Sequence, residues 1–200
     1  MPRTEEVNQR IREERREQIL DVAAQVFARK GLAATRIADI AAAGDMSQGL
    51  IFRYFASKED VFAAIVEKSL VSSIVLLEAA SQQPCSPLEK LRWLLQIYLE
   101  GMWRKPEYSL VVLHALNSEA TPKKVQEMAL EQSRRSLQTY RQLIIQGQEA
   151  GEIVQGDPTM LALALGSCLL GLSSGVRHMT CLLDIKGPPD PEVILRILKP

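Results

Sequence analysis

The stretch that decides the fold is residues 35–60, TRIADIAAAGDMSQGLIFRYFASKED. Ile37, Ile40 and Ala41 recur at helical spacing, so a first short helix has one apolar face to bury. Asp45 then interrupts the pattern, and aspartate is among the few non-glycine residues that tolerate a left-handed turn. A second short helix and the start of a third follow at once. The stretch therefore predicts a helix-turn-helix, the arrangement that presents a helix to DNA.

Hydroxyl side chains stand where the helices of this stretch would begin. Thr35, Ser47 and Ser57 are each expected to cap a helix by accepting a hydrogen bond from a backbone N–H group. Phe52 and Phe55 are expected in the core. The residues without a core task are Gln48, Gly49, Arg53 and Tyr54. Capping alone would also explain the hydroxyl residues, so the joint placement of these side chains carries the inference.

Taken together, these residues resemble the N-terminal domain of the TetR family of transcriptional regulators. The resemblance spans about residues 12–66 and rests on Thr35, Ile40-Ala41, Ser47, Gly49, Tyr54-Phe55 and Ser57-Lys58-Glu59. The chain departs from the family pattern in having Gly44-Asp45 in place of Ala-Gly. It also has Phe52 in place of the usual tyrosine, and so lacks a hydroxyl that commonly contacts phosphate.

The placement of the polar residues predicts two kinds of DNA contact. Thr35, Arg36 and Lys58 lie at helix starts, where a hydroxyl, backbone N–H groups and a cation would hold phosphates. Gln48 and Arg53 would read base edges, and Gly49 would allow a close backbone approach. The predicted DNA-binding set is Thr35, Arg36, Ser47, Gln48, Gly49, Arg53, Tyr54 and Lys58.

Charge argues against a generic electrostatic binder of nucleic acid. The 200 residues have a net charge of zero, and basic and acidic residues also balance within residues 1–60. DNA binding would therefore have to depend on how the side chains fit the duplex rather than on net positive charge. Arginines 3, 10, 12, 15 and 16 form either a DNA-reaching arm or, with Glu13, Glu14 and Glu17, pairs on a solvated helix face. We favour the second interpretation.

The start of the chain has no apolar secretory region, and Cys85, Cys168 and Cys181 do not suggest a disulfide framework. We therefore expect a cytoplasmic protein. Helical periodicity and start signals continue to the end of the chain, with a fourth helix from about Lys58 to Ala79. Later helix starts are expected at Pro87 and Pro106, and at Thr121-Pro122, Asp157-Pro158 and Asp190-Pro191, where the residue before the proline would cap the helix.

These patterns predict an all-α fold with two domains. Residues 1–56 would form the helix-turn-helix domain, with a first helix over about 8–30 and the helix-turn-helix over about 35–55. Residues 57–200 would form a helical effector-binding and dimerisation domain.

The segment after Pro158, TMLALALGSCLLGLSSGV, is apolar on nearly every face and must be covered all round. Serine and glycine interrupt it, which argues against a membrane span. Two copies would pack as a four-helix bundle, as the family resemblance implies. The predicted dimer interface is Ala162, Gly166, Leu170, Gly171, Gly175, Val193, Ile194 and Ile197.

Large side chains in the middle helices are either core residues or the lining of an effector pocket, and the core reading is the stronger one. The pocket candidates are Trp93, Tyr98, Met102, Trp103, His114, Met128, Tyr140 and Cys168. His178 and Cys181 would make only half of a metal site, so no metal and no cofactor are expected. No nucleophile with its base is spaced for catalysis, which argues against an enzyme.

The sequence thus predicts a homodimeric repressor that binds double-stranded operator DNA and is released by a small apolar or amphipathic effector, with no membrane as partner. One alternative is a helical protein-interaction adaptor that does not bind DNA. The other is an activator of the same family. The adaptor would explain the apolar C-terminal half but not the caps or the exposed Gln48 and Arg53.

Overall fold

The computed structural model describes residues 5–200, apart from the side chains of residues 176–181 and 183. Every regular element of this part of the chain is helical, which confirms the all-α prediction. The elements are α1 (Glu5–Ala34), α2 (Ile37–Ala43), α3 (Gln48–Phe52), α4 (Lys58–Gln82), α5 (Pro87–Arg104), α6 (Pro106–Asn117), α7 (Lys123–Glu149), α8 (Pro158–Leu183), α9 (Pro191–Leu195) and a closing 3-10 turn (Arg196–Leu198).

Most of the predicted start signals are used. The prolines at 87, 106, 158 and 191 each open a helix, where the missing N–H group costs nothing. Asp190 caps α9 by accepting from the N–H group of Glu192 at 2.9 Å. The predicted cap Thr121 is wrong, because its side chain is buried and α7 begins only at Lys123.

Helix α1 is longer than predicted at both ends and contains one break. Gly31 has φ 71° and ψ 172°, a conformation that is essentially restricted to glycine. The break redirects the chain so that Leu32, only 3% exposed, enters the core. The α1 break therefore fixes how the long helix enters the helix-turn-helix.

A first core joins α1 to α4 and continues into α6 and α7. Phe27 of α1 meets Phe62 of α4 edge to face, with ring centroids 5.3 Å apart. Val111 of α6 and Ala129 of α7 are fully buried in the same cluster. The helix-turn-helix is therefore packed on helices from the second half of the chain.

A second core lies at the far end of α4 and includes residues of α5, α7, α8 and α9. Its buried members include Leu77, Leu95, Ile144, Leu165 and Leu195. Helices α4 and α7 contribute residues to both cores. A shift of either helix would therefore affect the packing of both cores.

Helix α8 has apolar residues on two opposite faces. By length and composition alone, Pro158–Gly175 is apolar enough to cross a membrane, a property that it shares with core helices of water-soluble proteins. Ala162, Leu165 and Leu169 are buried against the protomer, where α8 packs on α6 and α7. Its opposite face is also apolar, but exposed.

Candidate functional site

The turn between α2 and α3 adopts the predicted left-handed conformation. Asp45 has φ 48°, and the Met46 N–H group donates to the Ala41 carbonyl at 2.9 Å. Gly44 leaves little room for a side chain, because a Cβ atom there would displace the Met46 methyl group and lie 3.3 Å from Val22. Asp45 therefore holds the turn in place of the glycine that the family pattern would supply.

Two of the three predicted caps are confirmed. Ser47 accepts from the N–H group of Leu50 at 3.1 Å, and Ser57 accepts from that of Asp60 at 3.1 Å. These caps fix the starts of α3 and α4.

The third predicted cap, Thr35, is wrong. The residue is fully buried, and its hydroxyl donates to the carbonyl of Gly31, four residues earlier, at 2.6 Å. Helix α2 is instead preceded by Arg36, whose backbone N–H group donates to the Asp39 carboxylate at 2.8 Å. Thr35 is thus a structural residue whose hydroxyl cannot reach a phosphate in this conformation.

The first turn of α3 presents a small exposed surface. Gln48 and Gly49 are exposed there, directly after the Ser47 cap. Arg53 is exposed at the other end of α3, and Tyr54 is half-buried against the first core.

The prediction that Phe52 is a core residue is wrong, because its side chain is 53% exposed. The buried residues here are Ile51, on the inner face of α3, and Phe55, just beyond the end of that helix. Phe52 is rotated about 100° from Ile51 on the helix and so points outward.

The side chain of Lys58 is committed to the protein itself. Its ammonium donates to the carbonyls of Leu32 at 2.9 Å, Ala33 at 3.1 Å and Thr35 at 2.8 Å. A lysine ammonium has three N–H donors, so this arrangement uses all of them. The structure therefore disagrees with the predicted phosphate contact, and Lys58 instead satisfies carbonyl groups at the end of α1.

Arg36 is exposed and lies beside an ion pair between Lys30 and Asp39. Lys30 contacts the Asp39 carboxylate at 2.8 Å. The hydrogen bonds from Lys30 and from the Arg36 backbone hold the pKa of Asp39 below its usual value. The Arg36 side chain is exposed at the start of α2, and its charge also helps to lower the pKa of Asp39.

The arginines near the start of α1 have different surroundings. Arg10 pairs with Glu14 at 3.6 Å, which confirms the solvated-pair interpretation at that position. Arg15 donates to Gln18 at 2.8 Å, and Arg16 lies 5.3 Å from the centre of the Phe55 ring. Arg3 lies outside the described residues. Arg12, which was grouped with these arginines, forms no ion pair among the described side chains and lines a recess of about 350 Å³ with Asn8, Ile11, Arg53 and Tyr54.

The predicted effector-pocket residues do not enclose a common cavity. Five of them lie together in the second core or pack against it: Trp93, Tyr98, Met102, Tyr140 and Cys168. Met128 packs against the first core, and Trp103 is half-buried. His114 lies near the α1 break, since a Cβ atom on Gly31 would be 3.9 Å from its Nδ1.

An open cavity of about 560 Å³ lies elsewhere, between α4, α7 and the start of α5. Its lining mixes apolar side chains, such as Ile74 and Leu77, with cations and amides. The polar and charged residues are Glu78, Ser81, Lys90, Gln132, Arg135, Gln138, Thr139, Gln142 and Gln146. None of the predicted pocket residues contributes to it, because their side chains are used in core packing.

A polar cluster joins α1 to α6 and α4. Lys105 contacts both carboxylate oxygens of Asp21 at 2.8 Å, and the Tyr108 hydroxyl donates to the same carboxylate at 2.7 Å. Lys68 donates to the Tyr108 oxygen at 3.2 Å and pairs with Glu17. We call these residues the α1–α6 clamp.

The outward face of α8 carries an apolar surface, which we call the α8 stripe: Met160, Leu163, Leu170 and Gly171. The first three side chains are 57%, 48% and 46% exposed, and a Cβ atom on Gly171 would meet nothing within 4 Å. Val193 and Ile197 are also exposed, near the closing turn that contacts α8.

Other residues of the predicted dimer surface face inward. Ala162 and Ile194 are buried within the protomer, and a Cβ atom on Gly166 would lie 3.0 Å from Leu137 of α7. Gly175 is half-buried. These positions lie on the core side of their helices, so Ala162, Gly166 and Ile194 do not belong to the exposed surface. The side chains of His178 and Cys181 lie outside the described part.

Comparison with known proteins agrees with this geometry. Residues 19–65 match the family model of the bacterial regulatory proteins of the tetR family, and residues 84–174 match the tetracyclin repressor-like C-terminal domain. The HTH-type transcriptional regulator AcrR of Shigella flexneri is 38% identical over 91 residues, which are 44% of this chain and 42% of that protein. The chain thus matches less than half the length of this curated relative.

Solved structures extend the similarity to nearly the whole chain. The MbdR regulator of Azoarcus sp. CIB has a TM-score of 0.78 at 21% identity, covering 89% of this chain and 93% of that one. AibR, solved in complex with isovaleryl coenzyme A and operator DNA, has a TM-score of 0.66 at 22% identity, covering 91% and 94%. With family models matched in both halves and this shared fold, the chain belongs to the TetR family of bacterial regulatory proteins.

Proposed function

We propose that the protein is a DNA-binding transcriptional repressor of the bacterial cytoplasm. The main support is the first turn of α3, where Gln48 and Gly49 are exposed. The start of this helix is fixed by the Ser47 cap and the Asp45 turn. A rigid, exposed helix start is what entry into a major groove requires. An adaptor that binds only proteins has no evident need for this arrangement, and the family membership favours a regulator.

The proposed DNA contacts follow the exposed side chains. Gln48 would form paired hydrogen bonds with a base edge, and Gly49 would let the α3 backbone come close. Arg36 would contact a phosphate from the start of α2. Residues 1–56 would form the DNA-binding domain and residues 57–200 the regulatory domain, although the first core crosses that boundary.

We further propose that the protein acts as a homodimer through the α8 stripe. A monomer would leave Met160, Leu163 and Leu170 in water. A second copy packed on this face would bury them and would close a bundle of helices by two-fold symmetry. The same symmetry would present two α3 helices to half-sites about one DNA turn, roughly 34–36 Å, apart.

The effector would occupy the cavity between α4, α5 and α7. Apolar Ile74 and Leu77 lie beside amides and cations, which suits an amphipathic molecule better than a purely apolar one. AibR was solved with an acyl coenzyme A and operator DNA, and a related structure, SmeT, with triclosan. We propose that the operator-bound protein represses transcription and that effector binding lowers operator affinity, so that the effector relieves repression.

The test is to select bound sequences from a random duplex pool and to repeat the selection with Gln48→Ala. The wild-type protein should enrich a two-fold symmetric sequence. Gln48→Ala should relax the preference at one base position in each half-site by ~1 to 3 kcal/mol. Gln9→Ala, on the exposed start of α1, is the control and should leave the sequence unchanged. Failure of the wild-type protein to enrich any sequence would contradict the proposed function.

A further inference from the structure

The first turns of α1 extend beyond the part of the helix that builds the core. The helix begins at Glu5, but its first fully buried residue is Ile19. Between them the helix is largely exposed, so this segment adds little apolar burial. Those of its side chains that have no partner within the protein can therefore serve binding.

One arginine of this segment lacks the partner that its neighbour has. Arg10 has Glu14 one turn ahead and pairs with it at 3.6 Å. Arg12 has no carboxylate three or four positions away in either direction. Among the described side chains, neither Arg12 nor Arg53 forms an ion pair. The missing i,i+4 partner is a signal already present in the sequence.

The two arginines meet at one recess. Arg12 lines it from α1 and Arg53 from the end of α3, with Asn8, Ile11 and Tyr54 completing the wall. The lining contains two arginines and no acidic residue, so the recess suits an anion. The planar fork of a guanidinium matches the oxygen geometry of a phosphate.

The position of Arg53 separates it from the base-reading turn. Gln48 lies at the start of α3, whereas Arg53 is the residue that ends it and faces α1 across the recess. We infer that Arg12 and Arg53 together hold a single backbone phosphate of the operator duplex. This inference rests on the proposed function, and it moves Arg53 from base reading to phosphate binding.

The experiment measures operator affinity by fluorescence anisotropy at 50 to 200 mM salt, using the sequence selected by the wild-type protein. Arg12→Ala, Arg53→Ala and the double variant are compared with Arg10→Ala, which removes the same charge from the same helix. Loss of one phosphate contact lowers the salt slope by about 0.9, so the salt-dependent change in Kd over this range should shrink about 3- to 4-fold. The double variant should lose no more than either single variant, because the phosphate is shared. Arg10→Ala should keep the wild-type slope.

Several results would overturn the inference while leaving the proposed function intact. One is a selected operator whose salt slope is unchanged in Arg12→Ala. A second is an additive loss in the double variant, which means two separate phosphates. A third is a relaxed base preference in Arg53→Ala. Saturable stabilisation of the DNA-free protein by inorganic phosphate would assign the recess to free anions instead. If the wild-type protein selects no sequence, the proposed function falls as well.

Discussion

At the scale of single residues, Lys58 shows how a cation beside a helix start can serve the protein rather than the DNA. The end of α1 leaves carbonyl groups without helical partners, and these carry the negative end of the helix dipole. The Lys58 ammonium reaches back to the carbonyls of Leu32, Ala33 and Thr35. It thereby ties α4 to the segment that enters α2.

We expect Lys58→Met to lower the free energy of unfolding by ~1 to 3 kcal/mol, because it removes charge-assisted hydrogen bonds to these carbonyls. Urea denaturation measures this change. Lys90→Met is the control, since Lys90 makes a single described carbonyl contact, with Ser81 at 2.9 Å. The salt slope of operator binding should stay at the wild-type value. A stable variant with a lower slope would restore the phosphate role expected from the sequence.

At the scale of helices, the α1–α6 clamp joins the DNA-binding helices to the regulatory half. Burial raises the pKa of Asp21, but hydrogen bonds from Lys105 and Tyr108 outweigh it, so the pKa lies below its usual value. A carboxyl group with a lowered folded-state pKa stabilises the fold above its unfolded value of about 4 and loses this contribution as the pH falls further.

We therefore expect Tyr108→Phe to cost about 1 kcal/mol of stability at pH 7, because it removes one of the hydrogen bonds that lower the pKa of Asp21. The difference from the wild-type protein should shrink as the pH falls from about 4 through the lowered folded-state pKa of Asp21, where the carboxylate becomes protonated. Urea denaturation at pH 7 and pH 3 tests this. Tyr140→Phe is the control, as that buried tyrosine has no carboxylate partner among the described residues and should show no such dependence. An equal cost at both pH values would contradict the clamp.

Most helix starts could be predicted from the sequence because capping residues and prolines act on the helix directly beside them. Ser47, Ser57 and Asp190 cap the helices that they were predicted to cap. The errors came from features that helical periodicity does not show. Thr35 was assigned to a cap because the sequence pattern does not reveal that its hydroxyl donates back to the Gly31 carbonyl. The cavity was also missed, since it is formed by polar faces of α4 and α7 rather than by aromatic residues.

At the scale of the whole molecule, a substitution in the α8 stripe tests the proposed dimer interface. Gly171 faces open space, so Gly171→Glu should leave the protomer fold intact. In a dimer packed on this face, the new carboxylate would be buried without a partner, at a cost of several kcal/mol. Sedimentation at micromolar concentration should show a folded monomer. Gly101→Glu, at another exposed helical glycine with open space around it, should remain a dimer. A dimeric Gly171→Glu variant would place the interface elsewhere.

The shared helices α4 and α7 connect the cavity to the DNA-binding core, so effector and operator should be antagonists. An effector releases DNA only if it binds the non-DNA conformation better, and a coupling of ~1 to 3 kcal/mol must act equally in both directions.

Trp93 offers a fluorescence signal for effector binding, because it lies one turn after the cavity residue Lys90 on α5. For a compound found by thermal shift, fluorescence titration should give a Kd about 5- to 150-fold weaker with saturating operator than without it. Trp93→Phe should remove most of the signal while leaving Trp103. A compound that quenches Trp93 and binds equally well in both states would show that the cavity does not control DNA binding.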